Sequence, residues 1–523
     1  MAEIPILGIP STWRVPGSYA EILFAQGPAT AAAGQRDIIV AAPKLTGSGT
    51  WTANTVYEVT NEQTAIDGAG AGSPLHRALR RILKTNKITK LWALPYAETS
   101  GGAPAKADLT VTWTDDPTAT GVTGVEICGE EITVAFTDAS TVTTIATAMK
   151  AAINDRSHLP VTADNAAGVL TLEAKINGIS QGDGTTGAIR VRAFIDAGKT
   201  TSVATENGGT TDALGLGTGT TGAEGSTTEA ANLATALATI NAARYYYIVT
   251  TCWDATSLGN LQTHISNKSE PNPGLRSVGI AGYQGTLANA QTLATARNYE
   301  RLQIAWQPNS WADPAELAAN VASIRQKRES VLAAHNFDSY RNASDWLVPP
   351  AYSQADWPTQ TNQNDAITDG LTPIASDQVG SYIVMSISTR SKNSAGTQDD
   401  FRAAETHRVS VADLYMDTVL VNYALNYENK RLKDDQYLSD GSVNPNQKLV
   451  PGVITPSLFK PFIRGFIDDF ADKGLIQNED ASKEGLRCVV DPNNAGRLET
   501  GHDLHVIDLL HQATFRLAEV SSG

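Results

Sequence analysis

Apolar and polar positions alternate at both ends of the chain. In the last stretch, HQATFRLAEVSSG (511–523), Ala513, Phe515 and Leu517 alternate with Thr514, Arg516 and Ala518. That is the period of a half-buried β-strand. A second short strand is expected in RVPGSYAEILF (14–24), behind a lead punctuated by Pro5, Pro10 and Pro16. Chain ends fray unless something ties them down, so the pattern raises the question of what these two strands pair with.

Between the ends, Arg36–Ala42 reads as a buried strand and SPLHRALRRILKTN (73–86) as a helix. Leu75, Leu79, Ile82 and Leu83 fall at helical spacing, with Ser73 as N-cap and Pro74 in the first turn. Lys90–Pro95 is again a buried strand, so the chain opens as α/β. From Gly101 the composition turns to Thr, Gly, Val and Ala. Strands are expected at 109–113, 125–128, 132–136, 161–163, 169–172 and 189–194. A helix over 140–156 carries Ile145, Met149 and Ile153 on one stripe. Residues 198–227 are Gly/Thr-rich and read as a flexible linker or surface loop. Strand–helix alternation then resumes from Glu229 to Ser330. The stretch 101–227 therefore interrupts an α/β domain instead of following it. After an irregular region, 335–378, come a strand at Ser381–Arg390, a helix at Val409–Tyr427, a helix at 456–474 and a strand at Arg487–Val490. DPNNAGRLETG (491–501) reads as a loop, and the final strands as Asp503–Leu509 and His511–Val520.

The expected fold class is α/β and α+β multidomain. An α/β core (26–100 with 228–400) carries an inserted β-rich α+β surface domain (101–197) and a linker (198–227). A C-terminal α+β domain (401–510) follows, and extended arm strands lie at 1–25 and 511–523.

Composition narrows the function classes. Of 523 residues, 41% are hydrophobic and 18% charged, which permits real cores and argues against global disorder. The formal charge of −15, from 40 basic and 55 acidic residues, argues against coating nucleic acid, which needs a basic face. No segment approaches the ~20 apolar residues of a membrane span, and the first residues lack a basic region and a long apolar run, so synthesis in a cytoplasm is the default.

Candidate chemistry is sparse. Cys128, Cys252 and Cys488 are too far apart for a zinc site. The plain reading is three small buried hydrophobes; the sharper one is an intermolecular disulfide. His502 and His505 would lie on opposite faces of a strand, a poor chelate with His511. Gly68–Ser73 precedes a helix but lacks the lysine of a phosphate loop, and Gly182–Gly187 reads as a turn. Asp434-Asp435 and Asp468-Asp469 read as solvated faces, and Tyr245–Tyr247 as a half-buried strand rather than a stacking platform for bases. No Gly-x-Ser-x-Gly elbow occurs. No catalytic, cofactor or metal residues are assigned, and an enzyme is not expected.

The segment order, together with four stretches, resembles contractile phage tail sheath proteins of the Mu-like type. The stretches are IPSTWRVPGSYAEI (9–22), RSVGIAGYQGTLANAQTLATARNYERLQI (276–304), PAELAANVASI (314–324) and SYIVMSISTR (381–390). The 109–194 region resembles the surface domain such proteins often insert. The resemblance implies a virion structural protein, assembled in the host cytoplasm. Its subunits would stack as hexameric rings around a tail tube protein and contract to drive the tube through the host envelope. Baseplate and tail terminator proteins are the other implied partners, with no nucleic acid, cofactor or direct membrane insertion.

The resemblance further implies that each subunit lends its terminal strands to neighbours. The N-arm residues would be Tyr19, Ala20, Glu21, Ile22, Leu23 and Phe24, and the C-arm residues Ala513, Thr514, Phe515, Arg516, Leu517 and Ala518. A ten-residue strand reaches about 33 Å. Ordering it costs on the order of 10 kcal/mol. Hydrogen bonds return roughly 1 kcal/mol each, and Phe515 and Leu517 roughly 1.5–3 kcal/mol apiece. The sum is near zero, so an arm orders only when it adds to a sheet. The competing expectations are another self-assembling virion component, such as a baseplate or tail protein, and an α/β hydrolase.

Overall fold

The structure, a computed structural model, describes residues 36–515 apart from 88–89, 99–107, 114–115, 177–188, 196–202, 207–213, 216–225, 273, 343–344, 346, 352–353, 392–403 and 449. Among the described residues one compact unit holds 36–332 and 339–406, and a second holds 333–338 and 407–515.

The larger unit begins with β1 (Ile38–Lys44), whose residues are buried up to the last, as expected of a strand covered on both faces. β2 (Tyr57–Glu58), α1 (Glu62–Ala69), α2 (Pro74–Thr85) and β3 (Leu91–Ala97) follow. The Ser73 hydroxyl accepts the His76 N–H at 3.0 Å, and Pro74 occupies the first turn of α2. Leu75, Ala78, Leu79 and Ile82 are its buried stripe.

A β-rich segment comes next: β4 (Asp108–Trp113), β5 (Gly121–Ile127), β6 (Glu130–Phe136), α3 (Val142–Asn154), β7 (Val161–Ala166), β8 (Val169–Ala174), β9 (Arg190–Ile195), β10 (Val203–Glu206) and β11 (Leu214–Gly215). It makes two four-stranded sheets, ordered β10-β4-β8-β7 and β11-β9-β5-β6. Its own core gathers Trp113, Ile132, Phe136, Ile145, Met149 and Leu170. β5 and β6 are joined by Cys128 and Gly129, both at positive φ (51° and 78°), the two-residue turn that suits strand twist. The Gly/Thr-rich stretch expected as a linker supplies β10, which pairs with β4, and β11, which pairs with β9. Thr and Gly density hid strands that need only backbone partners.

The α/β pattern resumes with α4 (Ser226–Thr239), β12 (Tyr247–Thr250), α5 (Ala255–Ser269), β13 (Val278–Tyr283), α6 (Leu287–Arg297), β14 (Leu302–Trp306), α7 (Pro314–Glu329), α8 (Gln360–Thr368), β15 (Thr372–Asp377) and β16 (Gly380–Ile383). One eight-stranded sheet results, in the order β16-β15-β14-β13-β12-β1-β3-β2. The strands from β3 through β15 are parallel, and β16 and β2 close the edges antiparallel. Counted by sequence, the parallel strands run 2-1-3-4-5-6, a doubly-wound order. The long strand expected at Ser381–Arg390 is cut to β16: beyond Ile383 the backbone turns away, Ser388 N–H bonding Ala404 and Thr389 N–H bonding Leu302.

Helices cover both sheet faces. Leu233 and Leu237 of α4, Ile240 just after it, and Leu261 and Ile265 of α5 pack on Ile39, Ala41 and Ile248. α7 lies on the opposite face beside α2. It comes so close that a Cβ on Gly282 of β13 would stand 2.1 Å from the Pro314 carbonyl, which only glycine permits.

α7 is buried from Pro314 through Gln326 and again at Glu329. Its charges are therefore paired inside. Asp313 caps it, accepting the Glu316 N–H at 2.7 Å, and also meets Arg77 at 2.5 Å. Glu316 meets Arg77 at 2.9 Å and Arg81 at 3.3 Å. Glu329 meets Arg325 at 2.6 Å and Arg36 at 3.2 Å, and accepts the Tyr247 hydroxyl at 2.6 Å. Burial alone would raise the Glu316 carboxyl; Arg81 and Arg77 outweigh it and hold it below its usual value. Removing one partner of a buried pair strands the other charge. Glu316→Ala is therefore expected to cost about 3–5 kcal/mol, measured as a lower urea midpoint at unchanged slope.

Candidate assembly surface

The smaller unit holds α9 (Thr406–Asn426), β17 (Arg431–Leu432), β18 (Val453–Ile454), α10 (Pro456–Asp472), α11 (Glu479–Glu484), β19 (Arg487–Asp491) and β20 (Asn494–Gly501). Phe459, Ile463 and Leu486 form its core, with Tyr423, Tyr427, Phe462 and Leu498 packed around them. Tyr415 meets Phe470 edge-on, centroids 4.9 Å apart.

β19 and β20 are an antiparallel pair with no third strand among the described residues. Each strand thus has one edge with no strand paired to it among the described residues. A two-stranded ribbon is marginal alone; here α10 packs against β19. The 491–501 stretch was expected to be a loop, and β20 corrects this. The signal was present in Asp491-Pro492-Asn493-Asn494, where the Asp491 carboxylate accepts the Asn493 N–H at 2.7 Å, a turn of Asx type. Gly496 and Gly501 masked the alternation that followed.

The chain beyond β20 is anchored and then released. Ile476 and Val506 form a single antiparallel bridge, flanked by Gln477 N–H to the His505 carbonyl (3.1 Å) and Ile507 N–H to the Leu475 carbonyl (3.2 Å). Asp508 accepts from Arg408 at 2.6 Å and from Gln477 at 3.0 Å. His511 then touches Asp338 at 2.5 Å. Past Asp508, Leu509 is half-buried, but Leu510 is 78% exposed and Phe515 95%. The expected strands at Asp503–Leu509 and His511–Val520 are not formed within the described part of this chain, where only the Val506 bridge occurs. A strand needs a partner backbone, and no local sequence pattern supplies one. Of the proposed C-arm, Ala513, Thr514 and Phe515 are described and exposed. Arg516, Leu517 and Ala518 lie outside the described residues, as do all six N-arm residues, Tyr19–Phe24.

The remaining candidates fall into structural roles. Cys252 is fully buried, its thiol 3.0 Å from the Tyr96 hydroxyl and 3.2 Å from Glu229, and burial pushes it well up. Cys128 and Cys488 are partly exposed and free of disulfides within the chain. The three histidines go to different partners: His502 to the Tyr415 hydroxyl at 2.8 Å, His511 to Asp338, and His505 through its backbone. Asp435, expected on a solvated face, is buried. It accepts the Ser457 N–H at 2.8 Å and the Ser457 hydroxyl at 2.6 Å, holding the first turn of α10. Asp469 pairs with Lys473 at 2.7 Å, and Asp468 pairs with Lys483. Tyr246 and Tyr247 are core residues, with Arg36 stacked 4.2 Å from the Tyr246 ring. Gly68 receives the Trp51 ring, and the Gly72 N–H donates to His76 Nδ1 at 3.0 Å. Gly182–Gly187 lies outside the described residues. Among the described residues no helix is long and apolar enough to cross a membrane.

No family model and no curated relative matches the chain. Solved structures with a similar arrangement include the sheath tail protein of Listeria innocua, at 11% identity and TM-score 0.47, covering 91% of this chain and 93% of that one. The sheath tail protein of Desulfitobacterium hafniense matches at 13% identity and TM-score 0.45, covering 94% and 98%. The contracted helical sheath of the anti-feeding prophage matches at 9% identity and TM-score 0.44, covering 98% and 99%.

Desolvation pushes His502 down to about 4 beside Tyr415. A histidine is ordinarily near 6.5, so the unfolded chain binds this proton first. The stability His502 contributes is complete above pH ~6.5 and is lost as pH falls toward 4. His502→Phe is expected to flatten the fall of the urea midpoint across that window, while His76 and His264, also pushed down by burial, keep part of the slope.

Proposed function

We propose that this chain is the structural subunit of a contractile tail sheath, and that it polymerises by lending terminal strands to neighbouring copies. The observation that carries the proposal is the segment after Asp508, which has no ladder partner among the described residues and exposes Leu510 and Phe515. The same unit presents the open-edged β19–β20 pair, a sheet of the kind that takes an added strand. Residues 513–518 would add to such an edge on a second copy, and Tyr19–Phe24 to another. The sequence stretches that resemble tail sheath proteins support the same conclusion.

In this reading the subunits close into hexameric rings stacked around a tail tube, bounded by baseplate and terminator proteins, in a virion tail assembled in the host cytoplasm. Each strand link is weak alone; ring closure makes them cooperative. Contraction is a change of packing between rigid units while the strand links hold. The 101–197 surface domain rides outside these contacts. Of the cysteines, Cys488 is partly exposed and is the candidate for a cross-link between copies; Cys252 is fully buried, and the Cys128 thiol is turned inward against Arg77.

Negative-stain microscopy of the purified chain is expected to show rings or short tubes with a wide lumen. Deleting 511–523 is expected to leave the circular dichroism spectrum and the unfolding midpoint unchanged and to abolish rings and tubes. Discrete particles from the full chain, or a deletion variant that still forms tubes, would refute the arm model. Phe515→Asp is expected to weaken assembly in the same direction, since it removes roughly 1.5–3 kcal/mol of burial per link.

A further inference from the structure

The smaller unit divides its charge between the two ends of α10. Over 428–464, around β17, β18 and the first half of the helix, cations lead six to four: Lys430, Arg431, Lys433, Lys448, Lys460 and Arg464. One of the four carboxylates, Asp435, is turned inward to Ser457. None of the six cations is in an ion pair among the described residues; Arg431 and Lys433 reach only carbonyls, of Pro451 at 3.4 Å and of Lys448 at 3.5 Å. Val450 and Leu458 are exposed among them. Over 468–484, the end of α10 and α11, carboxylates lead six to two. Lys473 is taken by Asp469, and Lys483 by Asp468 and Glu479. That leaves Asp472, Asp480 and Glu484 exposed and unpaired among the described residues. The two ends are held apart: Asp435 fixes the first at the opening turn of α10, and the Lys483–Asp468 pair fixes α11 near its close. Between them the helix of 17 residues runs about 25 Å. α10 has no acid in its first turn and no base in its last, the reverse of what a helix dipole favours. The helix's own stability gains nothing from this arrangement.

We propose that the basic end of this unit docks against the acidic end of the same unit in a second copy of the chain. Copies that each carry a formal charge of −15 repel one another, so a contact between them is favoured where unlike patches face. One unit holds both patches, and they do not meet within it. The contact is therefore head to tail, the kind that repeats into rings or helices instead of closing as a pair. Val450 and Leu458 give the basic end the apolar share of a protein interface, which a site for small anions would not need. Charges at such a surface set orientation and encounter rate more than raw affinity, and salt screens them. This contact rests on the tail sheath reading, and it adds to the strand links a second contact that responds to ionic strength.

The test measures, by light scattering, the protein concentration at which the full chain begins to assemble, with both arms intact. Raising sodium chloride from about 0.05 M to about 0.5 M should raise that concentration roughly tenfold or more. At low salt, Lys460→Glu with Arg464→Glu should raise it by a similar factor, and so should Asp472→Lys with Asp480→Lys. A chain carrying all four substitutions, or an equal mixture of the two double variants, should return toward the wild-type value, because unlike patches then face again. Assembly indifferent to salt overturns the proposal, as does either double variant that assembles like the wild type. Failure of both the fourfold variant and the mixture to recover also overturns it, since one end would then be meeting a different partner. Circular dichroism checks that each variant folds. Where a reversal does not, Lys460→Gln with Arg464→Gln or Asp472→Asn with Asp480→Asn replaces it; a shallower dependence on salt is expected, and an unchanged one overturns the proposal. A chain that never assembles refutes the sheath reading and this contact together, whereas assembly that ignores salt and charge reversal refutes the contact alone.

Discussion

The larger unit depends on ion pairs that are almost entirely buried. α7 is wedged between a parallel sheet and α2, and a helix buried on nearly every side ordinarily carries apolar residues throughout. Here Glu316, Arg325 and Glu329 enter with it. They are tolerated because Arg77, Arg81 and Arg36 come from other elements to meet them, and because Tyr247 and Gln303 absorb the remaining donors and acceptors. Such pairs add little net stability compared with a well-packed apolar alternative, but they admit few alternative registers. α7 is thereby keyed to α2 and β12 in one position, and small residues at 315, 318, 319 and 322 let it sit close to the sheet.

The smaller unit follows the opposite logic. Its core is a short aromatic cluster around Phe459, its sheets have two strands each, and its last described residues point apolar side chains at water. Among the described residues the larger unit gathers its apolar side chains under a sheet covered on both faces, whereas the smaller one leaves Leu510 and Phe515 exposed.

Sequence pattern made much of the larger unit legible. Ser73-Pro74 and Asp313-Pro314 announce α2 and α7, and unbroken apolar runs such as Ile38–Ala42 announce buried parallel strands, because those cues act over a few neighbouring residues. Three features were hidden for physical reasons. β10 and β11 carry Gly and Thr, whose pairing comes from distant backbone. β20 is broken by Gly496 and Gly501, and its turn had to be read from Asx chemistry. The 503–520 alternation was visible, yet alternation states which face is apolar and not which chain provides the partner.

The doubly-wound order places a natural crevice where β1 meets β12, at the carboxyl ends of the strands. In this chain Tyr96, Cys252 and Glu229 meet across that end and are fully buried, so the gateway is stoppered by its own side chains. The β-rich segment departs beside it, after Ala97, and the chain returns at Ser226. Among the described residues no strand of the parallel ladder pairs with the β-rich segment, and the entropy of closing a loop grows only slowly with its length. The ladder's register is therefore set without the segment, which is moored to the scaffold by side chains instead: Arg190 donates to Asn309 at 2.9 Å and Lys175 to the Ala71 carbonyl at 3.2 Å.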